Sequence, residues 1–201
     1  MKVCTFKKTE DLTQFRGLIE KQDQMYFNIM MPGESKGSWK FNRDSNPLAY
    51  LSVECNESVV GVIEDGQLSG FAKLKYEINQ LSCFEIEMNV DFTYIYVLPL
   101  KRGSGVSTKL VQALVDALLA HVEDMSSRFP IERALYTNVY SLPVSPGGLI
   151  ATMKLKQMME DVYQKTKLRF LKLSPISFRV DTSMARFKRT HKVYEDKRNA
   201  S

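Results

Sequence analysis

The hydrophobic period of residues 48–97 constrains the fold of this chain more than any other feature. In this segment apolar residues, many of them β-branched or aromatic, alternate with polar ones, whereas a spacing of three to four precedes it. Alternation at period 2 is typical of strands with one buried face. Breaks at Asn56–Glu57, Asp65–Gly66 and Asn79–Gln80 therefore predict consecutive antiparallel strands. Asp65–Gly66 predicts a hairpin turn, because Asp-Gly readily adopts positive φ angles.

The last of these strands has one apolar face and one polar face. Its alternation runs in the order Phe84, Glu85, Ile86, Glu87, Met88, Asn89, Val90, Asp91 and Phe92. The segment that follows, Tyr94–Leu98, is apolar on both sides, which is typical of a central strand and predicts a bulge or bend before it.

Helical patterns flank the strand-rich segment. A short strand at Val3–Phe6, a helix from Thr9 to Pro32–Gly33 and a loop at Gly33–Asn46 with the only tryptophan, Trp39, are predicted before it. After it the pattern predicts a helix from about Ser107, a strand at Ala134–Tyr140, a helix from about Gly148 to Lys165, and strands around 168–173 and 176–180. This order predicts an α/β fold with a mixed sheet and helices on its faces.

Length and composition exclude several classes of protein. A chain of 201 residues, 44% hydrophobic and 25% charged, can bury the core of one ordinary domain, and no internal repeat is present. The longest apolar run, 110–122, contains Gln112, Asp116 and His121, so no membrane-spanning segment is predicted. The first residues lack the apolar core of a signal peptide, and a cytoplasmic location is expected. Three widely spaced cysteines and two histidines predict neither a disulfide framework nor a metal site.

The charge of the chain is unevenly distributed. Residues 165–201 hold eleven basic and three acidic side chains, a net charge of +8, while the whole chain carries +5 and the remainder therefore −3. A basic end can attract nucleic acid or an acidic partner, or it can act only as a solvated tail. The sequence leaves both interpretations open.

A glycine loop at residues 101–108 joins the apolar strand to the next helix. Backbone amides at a helix start, together with the positive end of the helix dipole, favour bound anions, and Gly103 and Gly105 let the main chain approach a ligand. The spacing is neither that of a Walker loop nor that of the dinucleotide fingerprint. It therefore predicts a phosphate or pyrophosphate cradle, with a simple strand-to-helix turn as the alternative. Lys101 and Arg102 would add positive charge.

The segment Tyr96–Ser107 resembles the central motif of the GNAT acetyltransferase superfamily, with Arg102, Gly105 and Ser107 at its fixed positions. The resemblance implies a single-domain α/β fold over residues 1–180, with a mixed, mostly antiparallel sheet of about six to seven strands flanked by helices, and a basic tail at 181–201. It also implies that the backbone of Val97 and Leu98 faces the pantetheine arm of acetyl-CoA. The pyrophosphate would be held by the loop residues Arg102, Gly103, Ser104, Gly105, Val106 and Ser107.

Two catalytic candidates complete the sequence-based hypothesis. Val162–Phe170 resembles the family segment that ends the last helix, which places Tyr163 where a tyrosine hydroxyl protonates the departing CoA thiolate. An attacking amine must also lose a proton, and a carboxylate commonly accepts it. Glu87 is the predicted acceptor because it lies in the middle of its strand, and solvated edge carboxylates are the alternative.

The resulting prediction is an N-acetyltransferase that moves an acetyl group from acetyl-CoA to a primary amine by direct attack on the thioester. The acceptor can be a small molecule or a protein, and a homodimer stays open. One alternative is a nucleic-acid- or tRNA-directed acyltransferase that uses the basic C-terminal segment. A second is a non-catalytic acyl-CoA-binding regulatory protein.

Overall fold

A computed structural model describes residues 1–6, 56–143 and 146–182. The predicted first helix, the Gly33–Asn46 loop with Trp39, and most of the basic tail lie outside the described residues.

Seven strands and two α-helices make up the described chain. In chain order they are β1 (Lys2–Phe6), β2 (Glu57–Glu64), β3 (Gln67–Gln80), β4 (Glu85–Val97), a 3₁₀ turn (Pro99–Lys101), α1 (Val106–Ser127), β5 (Arg133–Ser141), α2 (Pro146–Lys165), β6 (Leu171–Leu173) and β7 (Ser177–Val180). The strand at residues 3–6 and the order of elements after Val97 are therefore confirmed. One boundary differs from the prediction: β3 continues through Asn79–Gln80, and the turn lies at residues 81–84, so Phe84 is 64% exposed instead of lying on the apolar face of β4.

The strands form one mixed sheet in the order β1-β2-β3-β4-β5-β6, with β7 also paired to β5. The β1/β2 and β2/β3 pairs are antiparallel, whereas β5 is parallel to β4, β6 and β7. Parallel neighbours require a crossover, which α1 supplies between β4 and β5 and α2 supplies between β5 and β6. The predicted α/β fold with a mixed sheet and flanking helices is confirmed, and its first three strands are joined by antiparallel ladders.

The predicted hairpin lies between β2 and β3. Asp65 has φ 51° and Gly66 has φ 76°, and Ile63 and Glu64 pair with Leu68 and Gln67 on either side. Two consecutive positive φ angles match the twist of the flanking strands, which is why Asp-Gly suits this turn.

The described residues divide into two compact units, the first made of those within 1–75 and 94–120 and the second of those within 76–93 and 121–182. The first unit has a core of Phe6, Val59, Leu68, Phe71, Tyr96 and Leu98. Beside this core, Gly70 of β3 lets the start of α1 lie against the sheet. A Cβ at Gly70 would be 2.6 Å from the carbonyl oxygen of Tyr96 and 3.1 Å from Cγ1 of Val106, so any larger residue would displace the strand end or the helix start.

In the second unit, α2 covers one face of β5. Leu135, Thr137 and Val139 are buried on that face, and the hydroxyl oxygens of Ser141 and Thr152 lie 2.8 Å apart. The Thr152 hydroxyl also lies 3.0 Å from the Gly148 carbonyl oxygen. These contacts fix the first half of α2 to the end of β5. The alternate residues of β5 point to the opposite face, where Tyr136 and Tyr140 are exposed.

The edge of the sheet is one interrupted strand. Leu173 pairs with Leu135 and Ser177 with Asn138, so the edge has one more residue than β5 between these two pairs. Pro175 lies in this irregular segment, and a proline can occupy an edge or a bulge because it has no N–H to donate to the ladder. Because of the extra residue, even-numbered side chains of the edge face outward before it and odd-numbered side chains face outward after it. Lys172 and Arg179 are therefore both exposed on the same side.

Candidate functional site

The glycine loop has the backbone geometry of an anion cradle. Gly103 has φ 82° and Gly105 has φ 86°, and the first turn of α1 begins with a 3.2 Å hydrogen bond from the Lys109 N–H to the Gly105 carbonyl. Gly105 thus occupies the cap position of α1 without a side chain. A Cβ on either glycine would meet no described atom within 4 Å, so the space over the main chain is open to a ligand. The amides at the start of α1 have no intrahelical acceptor, which is the arrangement that attracts anions.

The basic side chains of the loop are engaged within the first unit. The Lys101 ammonium lies 2.9 Å from the Glu64 carboxylate, which also accepts a 2.8 Å hydrogen bond from the buried Ser69 hydroxyl. These hydrogen bonds lower the pKa of Glu64, and the carboxylate raises the pKa of Lys101. The sequence-based hypothesis gave Lys101 a role beside the phosphate. Its observed partner is Glu64, and this ion pair fixes the 3₁₀ turn.

Val97 and Leu98 lie directly before this turn. The Arg102 Nε donates a 3.2 Å hydrogen bond to the Val97 carbonyl, and the Leu98 N–H donates one of 3.0 Å to Ser69. Leu98 belongs to the core of the first unit. Of the two residues predicted to face the pantetheine arm, Val97 retains the second lone pair of its carbonyl oxygen for a ligand, whereas the amide of Leu98 is used by β3.

Glu87 is held by two amide groups on the face of β4 and β5 that points away from α2. Its carboxylate accepts a 2.9 Å hydrogen bond from Asn138 and a 3.0 Å hydrogen bond from Asn89, and Asn138 also donates to the Asn89 side-chain oxygen over 3.0 Å. Asn89 and Asn138 are direct partners in the parallel ladder. Each oxygen of Glu87 keeps further lone-pair capacity, so the carboxylate has a fixed position and can still accept a proton.

A cavity of about 430 Å³ lies over this network in the second unit. It is lined by Glu87, Asn89, Val90, Asp91, Asn138, Val139, Tyr140 and Arg179. Polar groups from β4, β5 and β7 thus converge on one concave surface, which makes it a candidate ligand site.

Tyr163 lies on the other face of the same strands. Its phenolic oxygen is 3.1 Å from the hydroxyl oxygen of Thr137, a buried residue of β5 under α2. Burial raises the pKa of Tyr163, partly offset by the hydrogen bond with Thr137, so the phenol keeps its proton at neutral pH. Because Thr137 and Asn138 are adjacent in β5, their side chains point to opposite faces. The structure therefore does not bring Tyr163 and Glu87 together on one surface.

The sequence-based hypothesis missed the residues that position these candidates. Neither Asn138 nor Arg179 belongs to a local sequence motif. Asn138 reaches Glu87 through strand pairing between residues 51 positions apart. Arg179 reaches the cavity through the register of β7 on β5. The alternation of β5 was the available signal, since polar residues at 136, 138 and 140 indicate one solvent-facing side.

The described residues include neither a metal-binding cluster nor a membrane-spanning helix. No group of three or more His, Cys, Asp and Glu side chains in these ranges is arranged to hold a metal ion. Neither described α-helix combines the length and the apolarity that crossing a membrane requires.

Comparison with known proteins gives similarity to solved acetyltransferase structures. No family model and no curated protein matches the chain. A ribosomal-protein-alanine N-acetyltransferase from Brucella melitensis biovar Abortus 2308 is 21% identical, with 58% of this chain and 69% of that chain covered and a TM-score of 0.36. An aminoglycoside acetyltransferase from an uncultured soil metagenomic sample, in complex with trehalose, is 14% identical, with 84% and 93% covered and a TM-score of 0.42. A predicted acetyltransferase with acetyl-CoA from Clostridium acetobutylicum is 10% identical, with 68% and 79% covered and a TM-score of 0.35. At these identities and TM-scores, the chain's own residues must support any conclusion about its activity.

Proposed function

We propose that this chain is an N-acetyltransferase that uses acetyl-CoA and acts on a primary amine, with its catalytic domain in residues 1–180. One observation carries the proposal: two glycines with positive φ, Gly103 and Gly105, form an open loop at the start of α1, directly after an apolar strand. This geometry suits the pyrophosphate of CoA, in agreement with the GNAT-like motif in the sequence.

The cofactor would be held mainly by main-chain groups. The amides from Arg102 to Ser107 would bind the pyrophosphate, apart from that of Ser104, which donates to the Lys101 carbonyl. The Val97 carbonyl would accept a hydrogen bond from the pantetheine arm. Bound acetyl-CoA would supply an acyl group activated as a thioester. Because Lys101 is paired with Glu64, the loop depends on oriented amides and the helix dipole more than on side-chain charge.

In this proposal Glu87 accepts the proton of the incoming amine. An ammonium group has no lone pair and cannot attack a carbonyl carbon, so a proton must leave before the C–N bond forms. The Glu87 carboxylate lines the cavity, and its two amide partners fix its orientation. It can accept the proton directly or through one water molecule.

Tyr163 is the candidate proton donor to the departing thiolate. The neutral phenol carries a proton at neutral pH and can donate it to the thiolate. The resulting phenolate then takes up a proton from solvent. Tyr163 lies on the face of the sheet that α2 covers, whereas Glu87 lies on the opposite face, so one reacting carbon cannot contact both groups. Glu87 and Tyr163 are therefore alternative direct participants in the reaction, and Glu87→Gln and Tyr163→Phe decide between them.

The deciding experiment measures acetyl-CoA binding by calorimetry and release of the CoA thiol in the presence of primary amines. We expect saturable binding and amine-dependent thiol release. Binding without release for any amine would favour the non-catalytic acyl-CoA-binding alternative, and the absence of binding would overturn the proposal.

A further inference from the structure

The cavity in the second unit contains opposite charges at its two sides. Asp91 of β4 is the direct partner of Tyr140 of β5, and Tyr140 is the direct partner of Arg179 of β7. These three residues form one row across three strands. Neighbouring strands lie about 4.8 Å apart, so the outer two members of the row are roughly 10 Å apart along the sheet.

Both charged groups of this row are accessible. Asp91 and Arg179 are exposed, and neither forms an ion pair with another residue in the described ranges. The ring of Tyr140 between them is 44% exposed, and all three line the same 430 Å³ cavity. The row therefore presents a carboxylate, an aromatic ring and a guanidinium side by side across the sheet.

The cavity is also more acidic on its β4 side than Asp91 alone would make it. Glu87 lies on the same face of β4 and lines the same cavity. A cation would be attracted to this side by two carboxylates, whereas the β7 side offers the planar donor fork of Arg179, which matches the two oxygens of a carboxylate.

We infer that this cavity binds a zwitterionic acceptor, a primary amine that also bears a carboxylate, with its amine beside Asp91 and Glu87 and its carboxylate at Arg179. The inference rests on the proposed function, because the amine beside Glu87 is the group that would be acetylated. The stem between the two charges lies over Tyr140. The width of the row selects charges separated by several methylene groups, as in an ω-amino carboxylate, over the adjacent charges of an α-amino acid.

The test is calorimetry on the full chain without cofactor, with 6-aminohexanoate, hexylamine and hexanoate as probes. We expect 6-aminohexanoate to bind at least tenfold more tightly than either singly charged probe. Arg179→Gln should bring the affinities for 6-aminohexanoate and hexylamine together. Lys172→Gln is the matched control, since Lys172 is an exposed cation of the same edge that does not line the cavity.

Three binding results would overturn the inference. The first is equal affinity of the unmodified protein for 6-aminohexanoate and hexylamine. The second is an equal effect of Lys172→Gln and Arg179→Gln, which would attribute the preference to the overall positive charge of the edge. The third is tighter binding of an aminoalkyl phosphate than of 6-aminohexanoate, which would show that Arg179 selects a phosphate and not a carboxylate.

The outcome can be separated from that of the proposed function. The titrations contain no acetyl-CoA, so a preference for 6-aminohexanoate would remain if acetyl transfer were absent. Conversely, acetyl transfer to hexylamine and 6-aminohexanoate at equal kcat/KM would support the enzyme and refute the zwitterion site. Circular dichroism and Tm establish that each variant is folded.

Discussion

The phenolic oxygen of Tyr163 and the hydroxyl oxygen of Thr137 lie 3.1 Å apart under helix α2. Both groups can donate and accept, so each satisfies the other in a buried environment. The pair either serves only the packing of α2 against β5 or also supplies a proton during acyl transfer.

Tyr163→Phe and Thr137→Val separate these roles. Both substitutions remove the hydrogen bond, so each should lower the free energy of unfolding by about 1–3 kcal/mol. If Tyr163 donates a proton, Tyr163→Phe should also lower kcat at least tenfold with acetyl-CoA affinity retained, whereas Thr137→Val should keep kcat near that of the unmodified protein. Equal kcat in both variants would assign the pair to stability alone.

Gly105→Val tests whether the glycine loop binds acetyl-CoA, and Gly66→Val in the hairpin controls for backbone strain. A β-branched residue is strained at φ 86° and places a side chain over the open main chain, so acetyl-CoA affinity should fall at least tenfold in calorimetry. Gly66→Val is the matched control, because Gly66 has φ 76° and equally open surroundings but lies in the hairpin. It should lose similar stability and retain acetyl-CoA affinity. Similar losses of affinity in both variants would attribute the effect to destabilisation.

Glu87→Gln tests the proton acceptor. The amide cannot accept the proton from an ammonium group, so kcat/KM for the amine should fall by about 10²-fold or more near neutral pH. The control is Glu85→Gln, a carboxylate on the same strand face that accepts hydrogen bonds from Tyr136 and Ser82 and does not line the cavity. Comparable losses in the two variants would indicate a general effect of negative charge.

The lowered pKa of His121 should make the free energy of unfolding depend on pH. Its ring lies 4.5 Å from that of Tyr76, and burial lowers its pKa, with the charge of Asp124 acting in the opposite direction. A histidine with a lowered folded-state pKa binds fewer protons when folded than when unfolded. Its stabilising effect is therefore complete above about pH 6.5 and is lost as pH falls below that value.

His121→Phe retains an aromatic ring beside Tyr76 and removes the titration. We expect the free energy of unfolding in urea to fall more for the unmodified protein than for the variant between pH 7.5 and 5.5. The slopes of this free energy against pH should differ by the equivalent of at most one bound proton. Parallel pH dependences would contradict the assignment to His121.

Local chemistry allowed much of the fold to be predicted from the sequence. The hairpin at Asp65–Gly66 and the glycine loop before α1 depend on residues within a few positions of one another. The hairpin has the predicted positive φ angles, and the loop begins the predicted helix with positive φ at Gly103 and Gly105. The extension of β3 through Asn79–Gln80 was missed because pairing overrides the turn preference of these residues.

The arrangement of the candidate site depended on long-range pairing and was largely unpredictable. Glu87 was identified as a mid-strand carboxylate, but its partner Asn138 reaches it only through the parallel β4/β5 ladder. The separation of Tyr163 from Glu87 depends on the alternation of β5, and the pairing of Lys101 with Glu64 depends on how the hairpin end meets the 3₁₀ turn.

The extra residue between Leu173 and Ser177 gives the sheet edge a spare position. Deleting one residue of 174–176 would leave Leu173 paired with Leu135 and Ser177 with Asn138, so Arg179 would still face outward beside Tyr140. A slip of β7 by one residue against β5 would instead turn Phe178 and Val180 outward and withdraw Arg179, which exchanges a cationic rim for an apolar one. The edge therefore tolerates the loss of one codon before β7, whereas the charge of its rim depends on the register of β7.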